Sequence, residues 1–166
     1  VTFRLPPCRE DIELTGPVKL RLWVSCAAGD ADLMVSLRHF DASGEEVVYP
    51  GALPPDVAAA YGWLRVSHRK LDPARSLPYR PYLAHDEIQK LSPGEIVPVE
   101  IEIWPTCIVL QPGHRLELVV SSQDDPRLHP FTHTDPNDRI QTGDVRLYTG
   151  GMYDSHLLLP RIPPGE

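Results

Sequence analysis

Seven histidines and three cysteines are the side chains of this 166-residue sequence with the widest chemical reach. His129 and His133, with Asp135 and Asp138 behind them, have the i, i+4 spacing that on a helix sets two imidazoles on one face for zinc. Pro130 and Pro136 forbid that helix, so the stretch reads as a loop tied by Asp and Asn side-chain turns, without metal. Ser67 and His68 are adjacent in an expected strand, where neighbouring side chains point to opposite faces and cannot pair as nucleophile and base. The GxSxG turn that exposes a serine nucleophile is absent from the sequence. The acidic pairs Glu10-Asp11, Asp30/Asp32 and Asp124-Asp125 lack a calcium-loop pattern and read as solvated turns. Cys8, Cys26 and Cys107 are odd in number and far apart, which predicts buried free thiols in a reducing, cytoplasmic setting. These residues predict no catalytic group, no metal and no cofactor.

The elements that carry them are strands. Val97, Val99, Ile101 and Ile103 alternate with polar residues, as do Leu116, Leu118 and Val120, the period of a strand with one buried face. Thr106–Leu110 is a third run, closed by Pro112-Gly113. With no helix between them, these strands predict antiparallel pairing around a shared core. Upstream, Val1–Leu5, Ile12–Leu14, Val18–Val24 and Leu33–Leu37 read as further strands, with a turn expected at Gly16-Pro17 and a hairpin turn at Asp41–Gly44 into Glu45–Tyr49. Pro54–Tyr61 is the one stretch with helical character, from Pro55, its alanines and the stop at Gly62. Trp63–Val66 and the ends Val145–Thr149 and His156–Leu159 complete nine to eleven expected strands. The prediction is an all-β, jelly-roll-like β-sandwich of the galactose-binding-domain kind with one short helix, in a single domain over 1–166. A closed barrel is the alternative.

A net charge of -7 argues against a phosphate-backbone partner, and no apolar run approaches the ~18 residues of a membrane span. Trp23, Trp63 and Trp104 leave open a carbohydrate- or ligand-binding module, although aromatics in strands are more often core. The chain opens on VTFRLP without a methionine, as a piece of something longer would.

Three blocks carry a family likeness. They are VTFRLPPCREDIELTGPVKLRLWVSCAAGDADLMVSLRHFD, then GWLRVSHRKLDPARSLPYRPY with LSPGEIVPVEIEIWPTCIVLQPGHRLELVVSSQD, then FTHTDPNDR with YTGGMYDSHLLLPRIP. In this order they resemble the C-terminal domain of the cocaine esterase and X-Pro dipeptidyl-peptidase family of serine hydrolases. The resemblance implies a non-catalytic β-domain that buttresses an α/β-hydrolase domain of the same polypeptide, with homo-oligomers possible in the family. The family serine lies outside this chain, so no catalytic residue carries over.

A docking surface for that hydrolase domain is expected on Trp63–Tyr82. The segment is extended and proline-braced, and it sets Trp63, Tyr79 and Tyr82 beside Arg65, Arg69, Arg75 and Arg80, residue types enriched at interface cores.

Overall fold

The computed structural model describes residues 1–52, 54–128 and 143–163. Among them the chain forms β1 (Thr2–Arg4), β2 (Ile12–Cys26), β3 (Asp32–Phe40), β4 (Glu46–Val47), β5 (Ala60–Arg65), β6 (Val97–Leu110), β7 (Arg115–Ser121), β8 (Val145–Tyr148), β9 (His156–Leu158) and β10 (Arg161–Ile162). Every pairing is antiparallel. The order β1-β7-β3-β5-β6-β2-β10, with β4 on β3 and both β8 and β9 on β2, is that of one continuous sheet. Its weak seam is β5–β6, joined in register only at Gly62↔Ile103. The sheet curls there. β1, β7, β3, β4 and β5 make one wall; β6, β2, β8, β9 and β10 make the other.

One apolar cluster fills the space between the walls, and alternation explains its membership. Leu20, Leu22 and Val24 of β2 meet Ile101, Val99 and Val97 of β6 in register, and Val35 and Leu37 of β3 meet Val120 and Leu118 of β7. All of these are buried, as the period-two pattern predicts, and so are Ile103 and Leu116.

Five local expectations are corrected. Gly16-Pro17 is not a turn: β2 runs through it, and Pro17 opposes both Trp104 and Pro105 at a bulge in β6. Neither proline has an N–H to give the ladder, so the register slips where the two meet. The same bulge joins the runs read as Val97–Ile103 and Thr106–Leu110 into one fourteen-residue strand. No helix forms over 54–61. Val57 instead exchanges hydrogen bonds with Tyr49, and Ala60 opens β5. The alanines there are small so that they can be buried, Ala58 and Ala60 both lying in the interior. Val66–His68 is a 3-10 turn rather than strand. Finally, β6 and β7 do not pair with each other. The Gln111–His114 turn, with Gly113 at φ +86°, carries the chain from one wall to the other.

Candidate interdomain face

Residues 61, 63 and 65 of β5 alternate away from the core, in register with Ser36, Met34 and Asp32 of β3. Tyr61, Trp63 and Arg65 therefore lie in a row on the outer surface of the first wall. Each polar end is tied down. Trp63 Nε1 donates to Asp124 Oδ1 at 2.7 Å, and Arg65 Nε donates to Asp32 Oδ1 at 3.1 Å. The Tyr61 hydroxyl donates to Asp125 Oδ2 at 3.0 Å and accepts from the Ala58 amide at 2.9 Å. The Trp63 ring stacks near Tyr61, with centroids 6.0 Å apart, and meets the Trp104 ring edge-on at 5.1 Å. Trp104 itself is 62% exposed, turned outward by the bulge.

Beside this row lies a hollow of about 320 Å3, lined by Met34, Ser36, Val119 and the charged groups of Arg38, Glu46, Asp125 and Arg127. Arg127 bonds Asp125 through Nη2 at 2.6 Å and Glu46 through Nη1 at 3.1 Å, while Arg38 Nε bonds Glu46 at 2.9 Å. Burial works to raise the Asp125 pKa, but the Arg127 bonds and the Tyr61 hydroxyl outweigh it and hold the carboxyl at about 2. The Arg38 bond likewise lowers Glu46. Carboxylates held ionised in this way make poor proton donors or acceptors near neutral pH. The network's work is structural: it clamps the segment after β7 onto the wall.

The predicted docking segment continues from β5 into an arm. Asp30 Oδ1 accepts from the Ser67 amide at 2.9 Å and anchors the 3-10 turn. The Arg69 guanidinium then bonds the carbonyls of Val66 and Gln89, joining the two ends of the excursion. Between those ends the chain goes out and back. Ala84 donates to Lys70 O at 2.9 Å, Asp72 to Tyr82 O at 2.8 Å, and Leu77 and Arg80 exchange bonds of 2.9 and 3.0 Å at the tip. Arg75 lies over the Tyr82 ring, 3.5 Å from its centre. The structure thus spreads the six predicted residues along one path. Trp63 and Arg65 are pinned on the wall, Arg69 sits at the base of the arm, Tyr82 lies along it, and Tyr79 and Arg80 are exposed at its tip.

Sequence reasoning missed Trp104 and Asp124 as neighbours of Trp63. A Trp-Pro inside a strand pattern was the available signal, since proline there marks a bulge or edge.

The other candidates fall apart or resolve into packing. Trp23 is on the second wall, hydrogen-bonded to Asp154 and tilted against Tyr153, so the three tryptophans form no single platform. Ser67 Oγ is buried without a hydrogen-bond partner. His68 instead faces His85, Nδ1 to Nδ1 at 3.2 Å. Among the described residues no three His, Cys, Asp or Glu side chains gather as a metal site. The cysteines are free, but only Cys26 is buried as expected: Cys8 is half-buried and Cys107 exposed. The stretch His129–Asp138 lies outside the described residues.

The chain resembles known proteins along almost its whole length. A family profile described as the X-Pro dipeptidyl-peptidase C-terminal non-catalytic domain matches residues 1–158. A crystal structure of a CocE/NonD family hydrolase from Staphylococcus aureus superposes with a TM-score of 0.88 at 35% identity, over 98% of this chain and 30% of that one. The cocaine esterase of a Rhodococcus species is 27% identical over 159 residues, 92% of this chain and 24% of that protein. An aminopeptidase from a marine sediment archaeon, at 18% identity and a TM-score of 0.68, shares the fold. The chain spans about a quarter of the length of the curated relatives it matches. It belongs to the family of X-Pro dipeptidyl-peptidase C-terminal non-catalytic domains.

Proposed function

We propose that this chain is the supporting domain of a serine hydrolase that cleaves esters, and that it docks on the catalytic α/β-hydrolase domain through the Trp63–Tyr82 segment. The observation that carries the reading is the family match over residues 1–158, taken with a curated relative named for esterase activity. That relative favours ester over X-Pro peptide cleavage. The chain contributes shape and contact rather than chemistry: its carboxylates beside the hollow are locked to arginines, and Ser67 has no base at hand.

Docking through Trp63–Tyr82 is supported by residue type and placement. Trp63, Arg65, Arg69, Tyr79, Arg80 and Tyr82 follow one another along a single outward path from β5 to the arm. The free cysteines fit a reducing, cytoplasmic setting, and no helix among the described residues is long and apolar enough to cross a membrane. Homo-oligomerisation of the whole enzyme belongs to the same proposal.

The test is to express the polypeptide that joins this domain to its hydrolase part and to compare an activated ester with an X-Pro anilide. The reading expects serine-dependent ester cleavage at a kcat/KM at least tenfold above that for the anilide. The reverse preference would assign the parent to the peptidase branch.

A further inference from the structure

Within the docking segment, the arm from Lys70 to Ala84 differs from the wall it leaves. Its backbone hydrogen bonds close on itself. Asp72 Oδ1 accepts from the Ala74 amide at 2.9 Å, and Ser76 Oγ receives the Tyr82 amide at 3.0 Å. The Ser76 amide donates to Asp72 O at 2.9 Å, and Leu77 and Arg80 bond each other in both directions. Pro73, Pro78 and Pro81 fix φ along it. Leu83, near the base, packs against the core. At the far end Leu77 is 41% and Tyr79 48% exposed, with Arg80 beside them.

A tip this rigid has already given up the conformational entropy that binding would otherwise cost. It also presents an aliphatic, an aromatic and a guanidinium group within four residues, the chemistry of an interface anchor. We infer that the Leu77–Arg80 tip is a preformed wedge that seats in a partly apolar recess of the hydrolase part of the same polypeptide. This rests on the docking reading above and narrows it from the Trp63–Tyr82 segment to four residues. The occupant follows from length. In the curated relatives about three quarters of the protein lies outside the region this chain matches, and this domain leaves the Leu77, Tyr79 and Arg80 side chains uncovered.

Hydrogen–deuterium exchange of this chain alone against the polypeptide carrying both parts is the test. The wedge predicts that the Tyr79 amide, which follows Pro78, exchanges at least tenfold more slowly in the longer protein. It also predicts that Tyr79→Ser with Leu77→Asp leaves the melting temperature of this chain alone within about 1 °C, because the side chains are exposed. The same pair should split the longer protein's single melting transition into two, while Met152→Ala, at an 82% exposed site, leaves it single. If exchange slows around Trp63 and Trp104 but not at Leu77–Arg80, the wedge is wrong and docking stands. If no surface of this domain is protected, or its reading frame holds no hydrolase part, both are wrong.

Discussion

Nε2 of His39 lies 2.8 Å from Nδ1 of His114, and Nδ1 of His39 lies 2.7 Å from the Tyr49 hydroxyl. His39 is 3% exposed. The chain of three rings binds β3, Tyr49 two residues after β4, where it bridges Val57, and the turn between the walls, whose His114 carbonyl accepts from the Cys8 amide at 2.7 Å. Burial first, and then the neighbouring His114, push the His39 pKa below its ordinary 6.5, against a smaller opposing pull from Asp41. A histidine with a depressed folded pKa takes up its proton more readily unfolded, so its stabilisation is present above pH ~6.5 and is lost as pH falls through the folded value.

The first prediction follows. Urea midpoints should fall between pH 7.5 and pH 5, and His39→Gln should flatten that fall. An identical pH slope in the variant would show that another group governs it.

Asp125 titrates at the opposite end of the scale. With its carboxyl held at about 2 against an ordinary 3.8, the stabilisation it brings is present above pH ~3.8 and lost as pH falls toward 2. A shift of this size corresponds to about 2 kcal/mol. Asp125→Asn should therefore cost about 2 kcal/mol at pH 7, with the gap to the wild type closing as pH drops from 4 to 2. Chemical denaturation at several pH values measures it, and a pH-independent gap would place the loss in packing instead.

Gly62 makes the one register pair across the seam. A Cβ there would sit 2.5 Å from the Glu102 carbonyl oxygen and 3.0 Å from Ile103 Cγ1. A backbone atom cannot step aside as a side-chain end can. Gly62→Ala should thus destabilise the domain by about 1–3 kcal/mol, the range for overpacking. Thermal melting at wild-type values would mean that the two walls meet less closely than the pairing indicates.

Ile101 is 1% exposed in the middle of β6, opposite Leu20. Ile101→Ala should cost about 2–5 kcal/mol through lost burial and the cavity left behind. A loss under about 0.5 kcal/mol, the usual scale of a surface change, would mean that this strand face is not the core.

What could be read in advance follows from the range of each interaction. The buried set Val99, Ile101, Ile103, Leu116, Leu118 and Val120 was legible because alternation is a property of consecutive residues. Strand partners were not. Leu20 pairs with Ile101 across eighty intervening residues, and no local pattern selects β6 over the nearer β3. The helix expected at Pro54–Tyr61 failed because alanine's propensity was weighed without the burial that Ala58 and Ala60 meet. At the segment expected to dock, residue types and prolines pointed to a stretch running extended over a surface, but turns at Asp72–Ser76 and Leu77–Arg80 fold it back on itself. That Arg65 would turn to Asp32 while Tyr79 stays out depends on which side chains find partners in three dimensions.

The chain belongs to a family of non-catalytic domains, and its proposed role is to support a hydrolase rather than to catalyse. The most direct test of that role is the purified 166-residue chain incubated with an activated ester at micromolar protein. Hydrolysis is expected to be no faster than in buffer, at every chain concentration. A rate that rises in proportion to the chain and is abolished by a serine-directed phosphonate would contradict it.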